Sequence, residues 1–130
     1  MFSPVAAFSG FSVKDLEKAK SFYTDVLGLQ VEEEKGMGLQ LLLPGGAKVF
    51  VYPKENHEPA TYTVLNLVVA NIDEAVDILV AKGVVFEQYH MKEMPQDEKG
   101  ILRGLIAGMG PDIAWFADPS GNIFSLLQEK

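Results

Sequence analysis

Two stretches of the chain carry one pattern. Val13-Lys14-Asp15-Leu16-Glu17-Lys18-Ala19 and Val69-Ala70-Asn71-Ile72-Asp73-Glu74-Ala75 each run from a strand end through a capping residue into a helix. They lie 56 residues apart, and the same shift carries Phe8 onto Val64 and Phe22 onto Ile78. Each copy continues through a glycine, Gly28 or Gly83, into β-rich sequence with one strong turn signal. That signal is Pro44-Gly45-Gly46 in the first copy and Asp118-Pro119-Ser120-Gly121-Asn122 in the second. A chain written twice in this way is constrained to an α+β fold of two tandem β-α-β-β-β modules, 1–53 and 61–130, with a linker at 54–60. Halves of this size are marginal alone, so one domain with a shared core or interface is expected.

The elements follow from local chemistry. Phe8 to Val13 alternates as a strand. Asp15 then caps a helix whose apolar face is Leu16, Ala19, Phe22, Tyr23 and Val26 or Leu27, and Gly28 ends it in the left-handed conformation. Strands are expected at Gln30 to Glu34, Gly38 to Leu43 and Ala47 to Tyr52. The second module opens with a strand from Thr61 to Val69. Asn71 caps the next helix, with Glu74 completing a capping box, and its core face is Ile72, Ala75, Val76, Ile78 and Leu79. Further strands are expected at Val84 to His90, near Leu105 to Gly108, at Asp112 to Ala117 and at Asn122 to Gln128. Pro44 aligns with Pro119 at a shift of 75, so the second module is longer by about 19 residues, placed at 91–110. An insertion of that length reads as a functional loop beside a pocket, the alternative being a plain flexible excursion.

Composition narrows the function classes. The net charge of −7 argues against a nucleic acid partner, whose phosphates need a basic footprint. The longest uncharged run, Pro59 to Ile72, falls short of the roughly 18 to 20 residues of a membrane span. The start of the chain does not read as a signal peptide. With no cysteine, thiolate chemistry and cysteine-held zinc are absent, and a cytoplasmic location is expected.

The doubled pattern, together with the Asp118-Pro119-Ser120-Gly121-Asn122 corner, resembles the vicinal oxygen chelate superfamily of glyoxalases, bleomycin-resistance proteins and extradiol dioxygenases. The resemblance implies a curved, cup-shaped mixed sheet with helices on its outer face, and a homodimer. It also implies two metal ligands per module, one near the start of the first strand and one on the last. Carried onto this chain, those positions are Phe8, Phe50, Val64 and Ser125. Three are apolar, and a serine hydroxyl is a poor ligand for such cations. A register slip of one residue turns the side chains to the opposite face and brings in no better donor. No metal and no cofactor are therefore expected. His57 in the linker and His90 beside the insertion read as surface histidines.

If Phe8 faces the cup, strand alternation sends Gly10 and Ser12 the same way, and Phe11 and Val13 toward the helices. By that parity the cup is lined by Phe8, Phe50, Tyr52, Tyr62, Val64, Asn66, Trp115 and Ser125. This is an apolar, aromatic lining with a few polar anchors, the character of a small-molecule site. The expected function is metal-independent binding of a small, partly apolar molecule, in the cup or at the dimer interface, more a binding protein than an enzyme. Two other functions fit the resemblance: a glyoxalase-type lyase or dioxygenase that needs a metal, and an interaction module whose cup is plugged by side chains.

Overall fold

A computed structural model describes residues 1–90 and 95–130. Met91 and Met94 of the expected insertion lie outside the described residues. The chain forms two compact units, Met1–Pro59 and Ala60–Lys130. Each holds one four-stranded mixed sheet with the same strand order, first-fourth-third-second.

In the first unit the strands are β1 (Ser9–Val13), β2 (Gln30–Glu34), β3 (Gly38–Leu42) and β4 (Lys48–Pro53). β1 runs parallel to β4, and β4, β3 and β2 follow antiparallel. Asp15 Oδ1 accepts from the Lys18 amide at 3.1 Å and starts α1 (Leu16–Ser21) as expected. The helix then widens into a π-helical turn at Phe22–Val26, where the Leu27 amide donates to the Phe22 carbonyl. Thr24 sits at that transition and gives its hydroxyl to the Lys20 carbonyl at 2.8 Å, a back-bond that competes with the α-helical ladder. Tyr23 is thereby turned fully into the core, edge-on to Phe11 and Phe22. Val13, Leu39, Leu41, Val49 and Val51 complete this apolar layer.

The second unit repeats the plan with β5 (Thr63–Val68), α2 (Ile72–Ala81), β6 (Leu102–Arg103), α3 (Gly104–Ala107), β7 (Asp112–Ala117) and β8 (Ile123–Gln128). Asn71 Oδ1 caps α2 by accepting from the Glu74 amide at 3.0 Å. Ile72, Val76 and Leu79 form its buried stripe and meet the core through Ala114, Phe116, Phe124 and Leu126. Ile78, expected on that stripe, lies off it at 50% exposure, because the buried positions recur at intervals of four and three from Ile72.

Two expectations for the longer module are corrected. Val84 to His90 forms no strand beyond a single bridge between Phe86 and Phe116. The Gln96 side chain fills the place of a partner strand: its amide accepts from the Tyr89 N–H and donates to the Glu87 and Gly100 carbonyls. Backbone groups that a ladder would satisfy are thus met by one side chain. The stretch Leu105 to Gly108 is helical rather than extended. Gly104 approaches the Pro111 and Gly110 carbonyls too closely for any Cβ, and the Leu105 amide is held by Asp112 Oδ1 at 3.0 Å, so the chain turns there. The described part of the insertion is clamped onto α2. Arg103 reaches Asp73, Asp97 and Asp112, and Lys99 reaches Asp73 and Asp77.

Two outcomes follow from these contacts. Buried Asp118 accepts from the Ser120 and Asn122 amides at 2.9 Å and from Asn122 Nδ2 at 3.1 Å. Asp118→Ala strands these donors and is expected to lower stability by about 2–4 kcal/mol in urea denaturation. The Arg103 guanidinium, hydrogen-bonded to Asp73, lowers that carboxyl from 3.8 to about 2. A depressed carboxyl stabilises the fold above its unfolded value and loses that contribution as the pH falls through its folded one. The denaturation midpoint should therefore fall between about pH 4 and pH 2, less so in Asp73→Asn. Because Asp73 is 46% exposed, solvent screening holds its share to about 1 kcal/mol or less.

Candidate functional site

Each sheet has one face turned to its helices and one face free of them. In the first unit the register sets Gly10 opposite Phe50 and Ser12 opposite Tyr52 on the helix-free face. Phe50 and Tyr52 stack with centroids 6.1 Å apart, and Phe8 at the strand entrance is 69% exposed. Phe8, Phe50, Gln40, Met37 and Glu34 line a shallow hollow of about 210 Å³. Sites that enclose a drug-sized molecule run from roughly 300 to 1,000 Å³, so this hollow is sized for part of a ligand. His57 is not the free surface histidine expected from the sequence. The Lys54 amide continues the β1–β4 pairing by donating to the Val13 carbonyl, and the turn that follows brings His57 Nδ1 to 2.7 Å from Ser12 Oγ.

In the second unit the equivalent level holds Asn66, Ser125 and Trp115, three neighbours across β5, β8 and β7. The shifts of 56 and 75 that relate the modules carry Gly10 to Asn66, Phe50 to Ser125 and Gln40 to Trp115, and the strand registers agree. Ser125 is fully buried, and its hydroxyl donates to Asn66 Oδ1 at 2.5 Å. Asn66 itself is exposed. Trp115 Nε1 donates to Thr63 Oγ1 at 3.2 Å. Tyr89 packs edge-on against Trp115 at 5.4 Å, and the Glu87 amide donates to the Trp115 carbonyl. Burial, with the Glu87 charge adding, holds the Tyr89 hydroxyl above the ordinary phenol value and therefore protonated.

The expectation for Val64 is corrected. The β5–β8 register shifts between Thr63 and Leu65, so Val64 is the extra residue of a β-bulge and simple alternation does not fix its face. Thr63, opposite Ile123, takes the helix-free position beside Trp115 instead. Tyr62 precedes β5 and is 70% exposed. Thr63 and Tyr89 are the contributors that sequence reasoning missed. A bulge leaves no mark in a run of β-formers such as Thr63 to Val68, and Tyr89 is held at Trp115 by the Glu87–Trp115 backbone bond and the Gln96 staple.

The donor set does not fit the ion that the resemblance implies. Phe8, Phe50 and Val64 carry no donor atom, and the Ser125 hydroxyl is engaged with Asn66. Among the described residues no group of three or more His, Cys, Asp or Glu side chains is placed to hold a metal.

Comparison with known proteins agrees with this architecture. A protein from Sphaerobacter thermophilus, described as a member of the glyoxalase/bleomycin resistance protein/dioxygenase superfamily, is 26% identical. The match covers 96% of this chain and 98% of that one, with a TM-score of 0.65. An antibiotic binding protein from a Streptomyces species is 22% identical over 99% and 100% of the two chains, with a TM-score of 0.66. A genomically encoded fosfomycin resistance protein from Listeria monocytogenes is 19% identical over 100% and 96%, with a TM-score of 0.67. No curated protein matches in sequence. No helix among the described residues is long and apolar enough to cross a membrane. The family description Glyoxalase/Bleomycin resistance protein/Dioxygenase superfamily matches residues 6–126, and the chain belongs to that superfamily.

Proposed function

We propose that the protein binds a small, partly apolar molecule without a metal, as a binding protein of this superfamily. One observation carries the reading. The positions at which the resemblance implies four metal ligands hold Phe8, Phe50, Val64 and a serine already bonded to Asn66. The first unit adds the Phe50–Tyr52 stack, and the second adds the Trp115–Tyr89 corner. Apolar rings with few polar anchors recognise ligands by burial and orient them by one or two hydrogen bonds. Under this reading Phe8, Phe50 and Tyr52 are the contacts on the first unit's face, and Tyr62, Asn66 and Trp115, with Thr63 and Tyr89 added by the geometry, those on the second unit's face, where buried Ser125 acts through Asn66. The antibiotic binding and fosfomycin resistance proteins among the structural neighbours make antibiotic-like compounds the first to try. The cysteine-free chain is in keeping with action in the cytoplasm.

The reading includes a homodimer. Edge strand β2 carries Glu32, Glu33 and Glu34, charges that guard it against pairing, whereas β1 and β5 are uncharged along their lengths. Light scattering of the purified protein is expected to give twice the 14.2 kDa chain mass, and a monomer at all concentrations would remove this part of the reading.

Trp115 is the sole tryptophan and so reports binding directly. Titration with a panel of small aromatic antibiotics, before and after exhaustive chelation, should give saturable changes in emission that chelation leaves alone. Affinity lost on chelation and restored by one divalent ion would contradict the proposal. Tyr89→Ala is expected to weaken the binding that Trp115 reports about tenfold, by removing the ring packed against it.

A further inference from the structure

We infer that the helix-free face of the second unit is a donor-rich site for acceptor oxygens, and that its ligand is a planar, uncharged aromatic compound bearing a carbonyl. The inference rests on the binding reading above and names the ligand class of the same site. Its warrant is an inventory of hydrogen-bonding capacity. Ser125 Oγ–H donates to Asn66 Oδ1, which fixes the amide with its oxygen turned to the buried serine. Among the described residues no group accepts from the two Asn66 N–H donors, and Asn66 is exposed. Trp115 Nε1–H is engaged with Thr63 Oγ1, so the Thr63 hydroxyl accepts from the indole and keeps its own proton to give. Two donor groups thus lie along β5, one of them bonded to the Trp115 indole. Thr63 and Asn66 stand opposite Ile123 and Ser125, two positions apart along β8, or roughly 7 Å.

The ring wall of Trp115 and Tyr89 selects a flat, apolar body. The donors select an acceptor oxygen. No lysine, arginine or histidine belongs to this group, and the chain's net charge of −7 disfavours an anion, so a carboxylate is a poorer fit than a neutral carbonyl. Where the resemblance implies a cation that draws in substrate oxygens, this module presents an amide that does so by hydrogen bonding alone. Asn66 is the contact, and Ser125 is a positioning residue that sets its rotamer.

Three probes with one ring system separate the possibilities: fluorenone, fluorene, which lacks the oxygen, and fluorenecarboxylate. Titrated against Trp115 emission, fluorenone is expected to bind about three- to tenfold more tightly than fluorene, the worth of one net hydrogen bond, and more tightly than the carboxylate. Asn66→Ala should abolish that preference while fluorene affinity stays as it was. Ser125→Ala should reduce the ratio of the two affinities without changing fluorene binding, which a purely structural role would not do. Equal binding of fluorenone and fluorene, or tighter binding of the carboxylate, overturns the donor-site inference and spares the binding reading. Failure of all three probes to bind overturns both.

Discussion

The parallel pairing of each module's first strand with its last is the constraint on which the rest depends. It sets Gly10 beside Phe50 and Asn66 beside Ser125, residues far apart in sequence, at the centre of each sheet's helix-free face. Parallel neighbours need a crossover, and in each module a capped helix followed by a glycine-ended turn begins it. The helix also closes the opposite face with an apolar layer. What stays open is one row of positions per sheet, and the chemistry of the protein is whatever the sequence writes there. Here it writes aromatic rings, the amides of Gln40 and Asn66, and one buried hydroxyl.

The two modules use this row differently. The first presents the Phe50–Tyr52 stack, exposed Phe8 over a shallow hollow, and the Ser12–His57 pair opposite Tyr52. The second presents polar side chains that satisfy one another, Ser125 with Asn66 and Trp115 with Thr63, so that their remaining capacity is directional. Duplication supplied two copies of one frame, and divergence at equivalent registers made one face mainly apolar and the other selective.

Much of the frame was legible in the sequence because it is set by local signals. Asp15 and Asn71 cap, Gly28 and Gly83 take positive φ, and the corner at Asp118 to Asn122 closes by its own hydrogen bonds. Strands β2 and β7 fall where alternation put them, and Phe11, Phe50 and Tyr52 face as their parity requires. What was not legible depends on long-range geometry. The bulge at Val64 moves Thr63 beside Trp115, and nothing in the run of β-formers signals the extra residue. Val84 to His90 has strand composition, yet the Gln96 amide, several residues on, takes the hydrogen bonds a partner strand would supply. His57 reads as linker until the β1–β4 pairing is continued at Lys54 and swings it over Ser12.

The central claim is that the positions implied for metal ligands have been given over to side chains that bind a ligand directly. Calorimetric titration of the purified, chelator-treated protein with Ni²⁺, Zn²⁺ and Mn²⁺ tests it most directly. The account predicts no stoichiometric binding of any of the three. One tight site per chain, lost on substitution of Asn66 or Ser125, would contradict it.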